Sequence, residues 1–492
     1  MSMNVNKIDE YIYEIPPKRL MARVSGTIES FKMKVPVHIY ANEEILSKIQ
    51  EDRTLEQISN VACLDGVEKH VVALSDAHQG YGFCIGAVCG TNSEDGMISP
   101  GGVGYDINCG VRLLRTDMCY ADIQTKLPTL LTYIFNRIPS GLGSRGRLKI
   151  DYNQLNSVLD MGVEWARDHE FATDEDIEFC EENGRLEDAD HNLISKRAKQ
   201  RGIRQLGSLG SGNHFLEVQK VDKIYNKKIA KELGISQKDQ ITVMIHTGSR
   251  ALGHQVCTES VREFEKAMKR YNIKIPDREL SCVPANTEEA QKYFKEMACA
   301  ANFGFCNRQL ITFWIRESFK EVFGNESQEY ELRLIYDLCH NILKKETHLV
   351  DGKNMELNIH RKGATRAFPP NHPVLPKNYK SIGQPVLIPG TMGSASYLCV
   401  GKNNSMNLTF GSTAHGSGRI MSRSRAKNAY WGEDVEKGLE KKGILVKAKS
   451  QKVIAEEAPG AYKDINQVIK IQSHLNLIEK VARMHPIGVV KG

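Results

Sequence analysis

Residues 100–112, Pro-Gly-Gly-Val-Gly-Tyr-Asp-Ile-Asn-Cys-Gly-Val-Arg, constrain this chain more than any other stretch. They place a carboxylate, Asp106, three residues before a thiol, Cys109, between glycines at 101, 102, 104 and 110. Glycine lets a backbone bend sharply and approach a ligand closely. Hard oxygen and soft sulfur together suit a first-row transition metal better than Mg²⁺ or Ca²⁺. Alone, an Asp-x-x-Cys reads as a turn aspartate beside an ordinary buried cysteine. Imidazoles in similar glycine-rich settings change that balance. His214 lies in GSGNHFLE and His246 in HTGSR, where a strand pattern gives way to a turn. His340 ends an alternating apolar run and precedes Asn341, and His415 lies in TAHGSGR.

The candidates span residues 76 to 491, so their convergence requires one large α+β unit rather than beads on a string. No linker or internal repeat divides the chain. Alternation predicts strands within 30–40, 71–74, 111–114, 241–246 and 332–340. The strand at 71–74 empties into Ser75-Asp76-Ala77-His78-Gln79-Gly80-Tyr81-Gly82, a polar loop of the kind that carries site residues. Helical spacing over 151–169 places Leu155, Leu159, Gly162, Val163 and Ala166 on one face, with Asp151 as cap. The strongest helix signal covers 288–323, with Asn286 and Glu289 as a capping box and Gly324 as the stop. Residues 170–190 are acidic and read as a solvated surface segment. Residues 389–425 read as loops rich in Gly, Ser and Thr.

The net charge of +6 permits a polyanionic partner without demanding one. The 12 cysteines show no C-x-x-C pair, which argues against a structural zinc module and for free thiols in a reducing compartment. No apolar N-terminal run and no membrane-length apolar stretch is present, so we expect a cytoplasmic protein with no membrane partner.

One carboxylate, one thiolate and three imidazoles exceed what a single catalytic ion with an open position needs. They fit two ions sharing the Cys109 sulfur, and paired ions ~3.5–4 Å apart suit in-line displacement at phosphorus. His415 stands between small, hydroxyl-rich segments, 389–396 and 411–419, that expose N–H groups able to cradle phosphate. Each segment alone also reads as a surface turn. His415 is therefore better suited to be a nucleophile, because imidazole forms a phosphoramidate with phosphorus. Glu217 either is a surface strand residue or accepts two N–H bonds from guanine N1 and N2, which adenine cannot offer.

Together, PGGVGYDINCGVR, GSGNHFLE, HTGSR, CHN, PGTMGSASY, AHGSGR and the final Lys491-Gly492 resemble the RtcB family of RNA-splicing ligases, from about Asp76 to Lys491. The resemblance implies one domain over 1–492, with layered, mostly antiparallel sheets around a central metal and GTP cleft. Residues 140–205 are the least family-like part. The implied activity joins an RNA 3′-phosphate or 2′,3′-cyclic phosphate end to a 5′-hydroxyl, using GTP and two Mn²⁺ ions. Asp106, Cys109, His214, His246 and His340 would hold the ions, with Cys109 bridging. His415 would carry GMP before passing it to the RNA end. Asn213, His214, Phe215, Leu216, Glu217, His340, Asn341, Pro389, Gly390, Thr391, Met392, Ser396, His415, Gly416, Ser417, Gly418, Tyr462 and Lys491 would contact the nucleotide.

Ser75 and Cys84 stand where the family resemblance leads us to expect proline or small residues, and Ser417 where alanine is usual. A paralogue acting on DNA 3′-phosphates stays open, as does an activating partner such as archease. So do a dinuclear phosphodiesterase or phosphatase and a non-catalytic RNA-binding protein. Arg145, Arg147, Lys149, Lys196, Arg197, Lys199, Arg201 and Arg204 either hold RNA or are solvated helix charge.

Overall fold

The strand Gln240–Thr247 is buried along its whole length, with Ile241, Val243 and Ile245 on one face and Thr242, Met244 and His246 on the other. It lies inside an eight-stranded sheet. The order is Arg333–Cys339, Gly110–Cys119, Gln240–Thr247, Phe215–Ile224, Ile478–Lys491, Ser396–Gly401 and Pro385–Ile388, with Leu445–Ala448 joined to Ile478–Lys491. A seven-stranded sheet runs Asn6–Asp9, Ile12–Ile15, Val37–Tyr40, Val67–His78, Ile85–Asn92, Lys353–Lys362, Asn341–Val350. Pairing is antiparallel except where Val37–Tyr40 meets Val67–His78 and Leu445–Ala448 meets Ile478–Lys491. This is an α+β architecture with mostly antiparallel sheets. The computed structural model describes residues 4–24, 26–324 and 331–492. Among the described residues no helix is long and apolar enough to cross a membrane, and all twelve cysteines are free.

The predicted strands appear, with longer bounds at 71–74, 111–114 and 241–246, while 332–340 shortens to Arg333–Cys339. The 30–40 stretch divides into the ends of Thr27–Lys32 and Val37–Tyr40, and 389–425 contains the strands Ser396–Gly401 and Ser412–Ala414 as well as loops. The long helix spans Glu288–Phe323, but its cap is Thr287, whose side chain accepts the Ala290 N–H, not Asn286. A hydroxyl directly before the first helical residue reaches that N–H; a residue one position earlier does not. The expected 151–169 helix is two helices, Tyr152–Met161 and Val163–Asp168. Gly162 breaks it at φ 56°, and a Cβ there would lie 2.2 Å from the Gly184 carbonyl oxygen.

The acidic segment is not solvated throughout. Asp176 is 1% exposed and accepts two hydrogen bonds from Arg316, at 2.6 and 2.7 Å. Glu181 is buried, accepts from Lys344 Nζ at 2.7 Å and lies 3.3 Å from Arg366. Acidity in a sequence marks a solvated face only when no buried cation is waiting for it. A second buried network lies beside it. Asp337 accepts from Arg112 Nε at 2.7 Å and Arg308 Nε at 2.9 Å, and all three side chains are fully buried.

Candidate active site

Antiparallel register gathers the site at one edge of the eight-stranded sheet. Val111 pairs with His246, His246 with Phe215, Gly110 with Cys339 and Phe215 with Lys491. Strand starts at 110 and 215 therefore meet strand ends at 247, 339 and 491. Cys109, His214, His246, His340 and Lys491 come from far apart in sequence to one rim. Arg308, on the long helix, fixes two of these corners: its Nη1 donates to Asn108 O and Thr247 O, each at 2.9 Å. Gly248 permits the closest approach, since a Cβ there would lie 2.6 Å from Asp106 Oδ1.

Asp106, Cys109 and His214 present ligand atoms that all lie within 4.8 Å of one another. His214 Nε2 is 2.7 Å from Asp106 Oδ2 and 3.6 Å from Cys109 Sγ. His246 Nε2 is 3.2 Å from the same sulfur, on the strand next to His214. The His340 ring lies 5.2 Å from that of His246 and 5.2 Å from that of His415. Its Nδ1 faces Thr365 Oγ1 at 2.9 Å. Among the described residues, His340 Nε2, His246 Nδ1 and Asp106 Oδ1 are buried with no hydrogen-bond partner. Burial, and then the neighbouring imidazoles, hold His246 and His340 neutral, their ligand form. Burial and the Asp106 charge push the Cys109 thiol far up, so a thiolate here calls for a cation. Orphaned donors and a mixed O, N, S set fit a transition metal.

His415 follows the short strand Ser412–Ala414. Its Nδ1–H donates to Asp76 Oδ2 at 2.6 Å, and the His415 backbone N–H donates to the same oxygen at 3.0 Å. Asp76 is fully buried near the end of Val67–His78, and Lys463 Nζ donates to the carbonyls on either side of it, Ser75 O at 3.2 Å and Ala77 O at 2.5 Å. Burial pulls this ammonium down to about 8. Gly418, at φ 69°, lets the loop pass within 2.1 Å of Asp76 O, measured from the Cβ it lacks. Asp76 has no role of its own legible in the sequence; its signal is the strand that empties into a polar loop.

Two cavities meet at His415, about 210 and 240 Å³ in volume, sharing Ile85, Asn213 and His415. The first is lined by Phe215, His246, Pro389, Gly390, Thr391, Met392, Gly416, Ser417, Gly418, Tyr462 and Lys491, all sequence candidates. His78, Arg419, Arg423 and Glu457 line it too, and sequence reasoning missed them. Lys491 Nζ donates to Gly212 O at 3.1 Å and to Glu457 Oε2 at 3.2 Å. Burial disfavours the Glu457 charge, but Lys491 and Arg419 outweigh it and hold the carboxyl at about 2. Tyr462 donates to Glu457 and accepts from Arg419 Nη1 at 2.8 Å. The buried Ser417 hydroxyl has no hydrogen-bond partner among the described residues.

The remaining candidates sit elsewhere. His340 and Asn341 line the second cavity with Cys109. Leu216 is 0% exposed and packs in the sheet core, on the strand face opposite Phe215 and Glu217. Ser396 accepts the Gly390 N–H at 3.2 Å and so holds the 389–392 loop. Glu217 is buried behind the cavity, accepting from Gln219 Nε2 at 2.7 Å. Burial pushes its carboxyl up to about 7, against the opposing pull of Gln219 and Lys491.

The family model described as tRNA-splicing ligase RtcB matches residues 57–492. The tRNA-splicing ligase RtcB of Methanococcus maripaludis is 52% identical, covering all of both chains. Its counterpart from Thermococcus kodakarensis is 50% identical over 97% of this chain and all of its own. That of Nanoarchaeum equitans is 48% identical over the full length of both. With the sheet rim, the metal-fitting donors and these full-length likenesses in hand, the chain belongs to the tRNA-splicing ligase RtcB family.

Proposed function

We propose that this protein is an RNA ligase that joins a 3′-phosphate or 2′,3′-cyclic phosphate end to a 5′-hydroxyl end, consuming GTP, in tRNA splicing or RNA repair. One observation carries the reading: His415 stands where two cavities meet, its Nδ1–H held by the Asp76 carboxylate. That bond leaves Nε2 as the free lone pair. In this reading Nε2 attacks the α-phosphorus of GTP, a P–N bond forms and pyrophosphate leaves. A 2′,3′-cyclic phosphate is first opened by water to a 3′-phosphate; His415 then gives GMP to the RNA 3′-phosphate, and attack by the 5′-hydroxyl on that activated end releases GMP.

Asp106, Cys109, His214, His246 and His340 would hold two Mn²⁺ ions, a reading supported by the sulfur lying between His214 and His246. Bound there, the ions would neutralise crowded phosphate charge and polarise phosphoryl oxygens. The chain's own residues do the rest. Asp76 orients His415. Ser417 Oγ and the backbone N–H groups of Met392, Ser417 and Gly418 offer donors to phosphate oxygens, those of Gly390, Thr391 and Gly416 being engaged by Ser396, Ser394 and Asp76. Lys491, over the Phe215 ring at 5.6 Å, adds positive charge to the same cavity. Glu217 reads guanine; Gln219 Nε2 also lies 3.2 Å from Ser396 Oγ, so the carboxylate can exchange partners.

The test is incubation with α-labelled GTP and Mn²⁺. The chain should acquire acid-labile, alkali-stable GMP, and His415→Ala should not. A dinuclear phosphodiesterase or a non-catalytic RNA-binding protein would remain unlabelled, and that result would remove the proposal.

A further inference from the structure

The second cavity has a wall that neither the metal donors nor His415 uses. Tyr81 and Tyr105 line it. Their rings meet edge to face, 5.3 Å apart at 62°. Tyr105 continues onto the His254 imidazole, stacked at 4.8 Å. The tyrosines are half-buried and His254 is exposed, so three rings lead from the cavity to the surface. The wall is held from behind. Lys362 Nζ donates to Tyr81 O and Phe83 O, and Glu279 Oε2 accepts the Gly82 N–H at 3.0 Å.

The outer end of this wall adjoins free cations. His254 belongs to the helix Arg250–Arg270, and the helix Lys196–Gly202 packs along it. Arg201 Nη1 donates to Gln255 Oε1 at 2.8 Å, one residue from His254. Lys196, Arg197, Arg201 and Arg204 are exposed, and among the described residues none pairs with a carboxylate. The Arg204 carbonyl accepts the Gly146 N–H at 2.8 Å, which brings Arg145 and Arg147 alongside. Cations that follow a backbone and aromatic rings that receive bases are the two components of single-strand recognition.

Resting on the ligase reading above, we infer that Tyr81, Tyr105 and His254 form a stacking subsite for the unpaired terminal bases of the RNA 3′ end. The cationic helix 196–202 would guide its phosphates. The choice of end follows from position: this cavity shares His415 with the nucleotide cavity, so the end it holds is the one that receives GMP. Stacking is tolerant of sequence, because every base has a π face. It demands an unpaired end, because a duplex terminus keeps its bases stacked on one another.

A short single-stranded RNA with a 3′-phosphate and a terminal 2-aminopurine, bound to the full chain with Mn²⁺ and without GTP, tests this. Fluorescence should be quenched on binding, and far less when the probe is moved inward. Tyr81→Leu and Tyr105→Leu should each lose the quench and weaken binding about tenfold. Tyr81→Phe and Tyr105→Phe should keep both, which separates loss of the ring from loss of the fold. Equal affinity for intact, abasic-ended and blunt duplex RNA, or an undiminished quench in the leucine variants, would overturn the subsite. GTP labelling of His415 requires no RNA, so the two ideas fail separately. Labelling without terminal quenching sinks the stacking subsite alone; terminal quenching without labelling sinks the ligase reading and leaves an RNA-end binder.

Discussion

Asp76 illustrates how one side chain sets the chemistry of another. Its carboxylate takes the Nδ1–H of His415 and the backbone N–H of the same residue. Asparagine would keep the shape but remove the charge that favours that tautomer. We expect Asp76→Asn to slow GTP labelling by about 100-fold or more while GTP affinity changes little, measured by single-turnover labelling and equilibrium binding. Cys109 makes a second test. If its sulfur serves both ions, Cys109→Ala should lose both Mn²⁺ equivalents, read by metal analysis after gel filtration. One tightly held equivalent in that variant would contradict a bridging role. Glu217 supplies a pH test with a definite sign. Burial raises its carboxyl to about 7, so it is largely protonated below that pH and ionised above it. Only the ionised form accepts both guanine N–H bonds. Preference for GTP over ATP should therefore rise as pH increases through about 7, and Glu217→Gln should be weakly selective at every pH. A wild-type preference independent of pH would mean the base is read elsewhere.

At the scale of elements, the long helix Glu288–Phe323 joins sheet to site. Arg308 satisfies carbonyls beside Cys109 and His246 with one edge of its guanidinium and Asp337 with the other. Arg112 shares that carboxylate. Removing the negative charge would leave two buried guanidiniums without a counter-charge, which costs about 3–5 kcal/mol in comparable buried pairs. Asp337→Asn should thus lower the unfolding midpoint markedly, checked by thermal and denaturant melting. An unchanged midpoint would mean that water reaches these groups. The segment 170–190 serves the same scaffold through Asp176 and Glu181, so it braces the rim from outside. Composition alone made it look solvated, because its cationic partners Arg316, Lys344 and Arg366 lie more than a hundred residues away.

Across the whole molecule, two cavities open on either side of one imidazole, and a basic surface adjoins the second. Neutralising phosphates releases counterions, so RNA affinity should fall steeply with salt, and Arg201→Glu should reduce the logarithmic slope by about 0.7 or more. A salt-insensitive affinity would remove the cationic track.

The amino-acid sequence by itself determined which residue types could do the chemistry: an Asp-x-x-Cys, glycine-flanked histidines and the strands that carry them. It did so because turns and alternation are local properties, readable over a few neighbouring positions. Antiparallel register decided that Cys109, His214, His246, His340 and Lys491 share one rim, and only packing of the short strand Ser412–Ala414 against Val67–His78 brought Asp76 to His415. The same holds for the buried acids of 170–190 and for the ring wall of Tyr81, Tyr105 and His254. Such contacts join residues from 24 to 339 positions apart, and no local periodicity encodes which distant partner a side chain will meet.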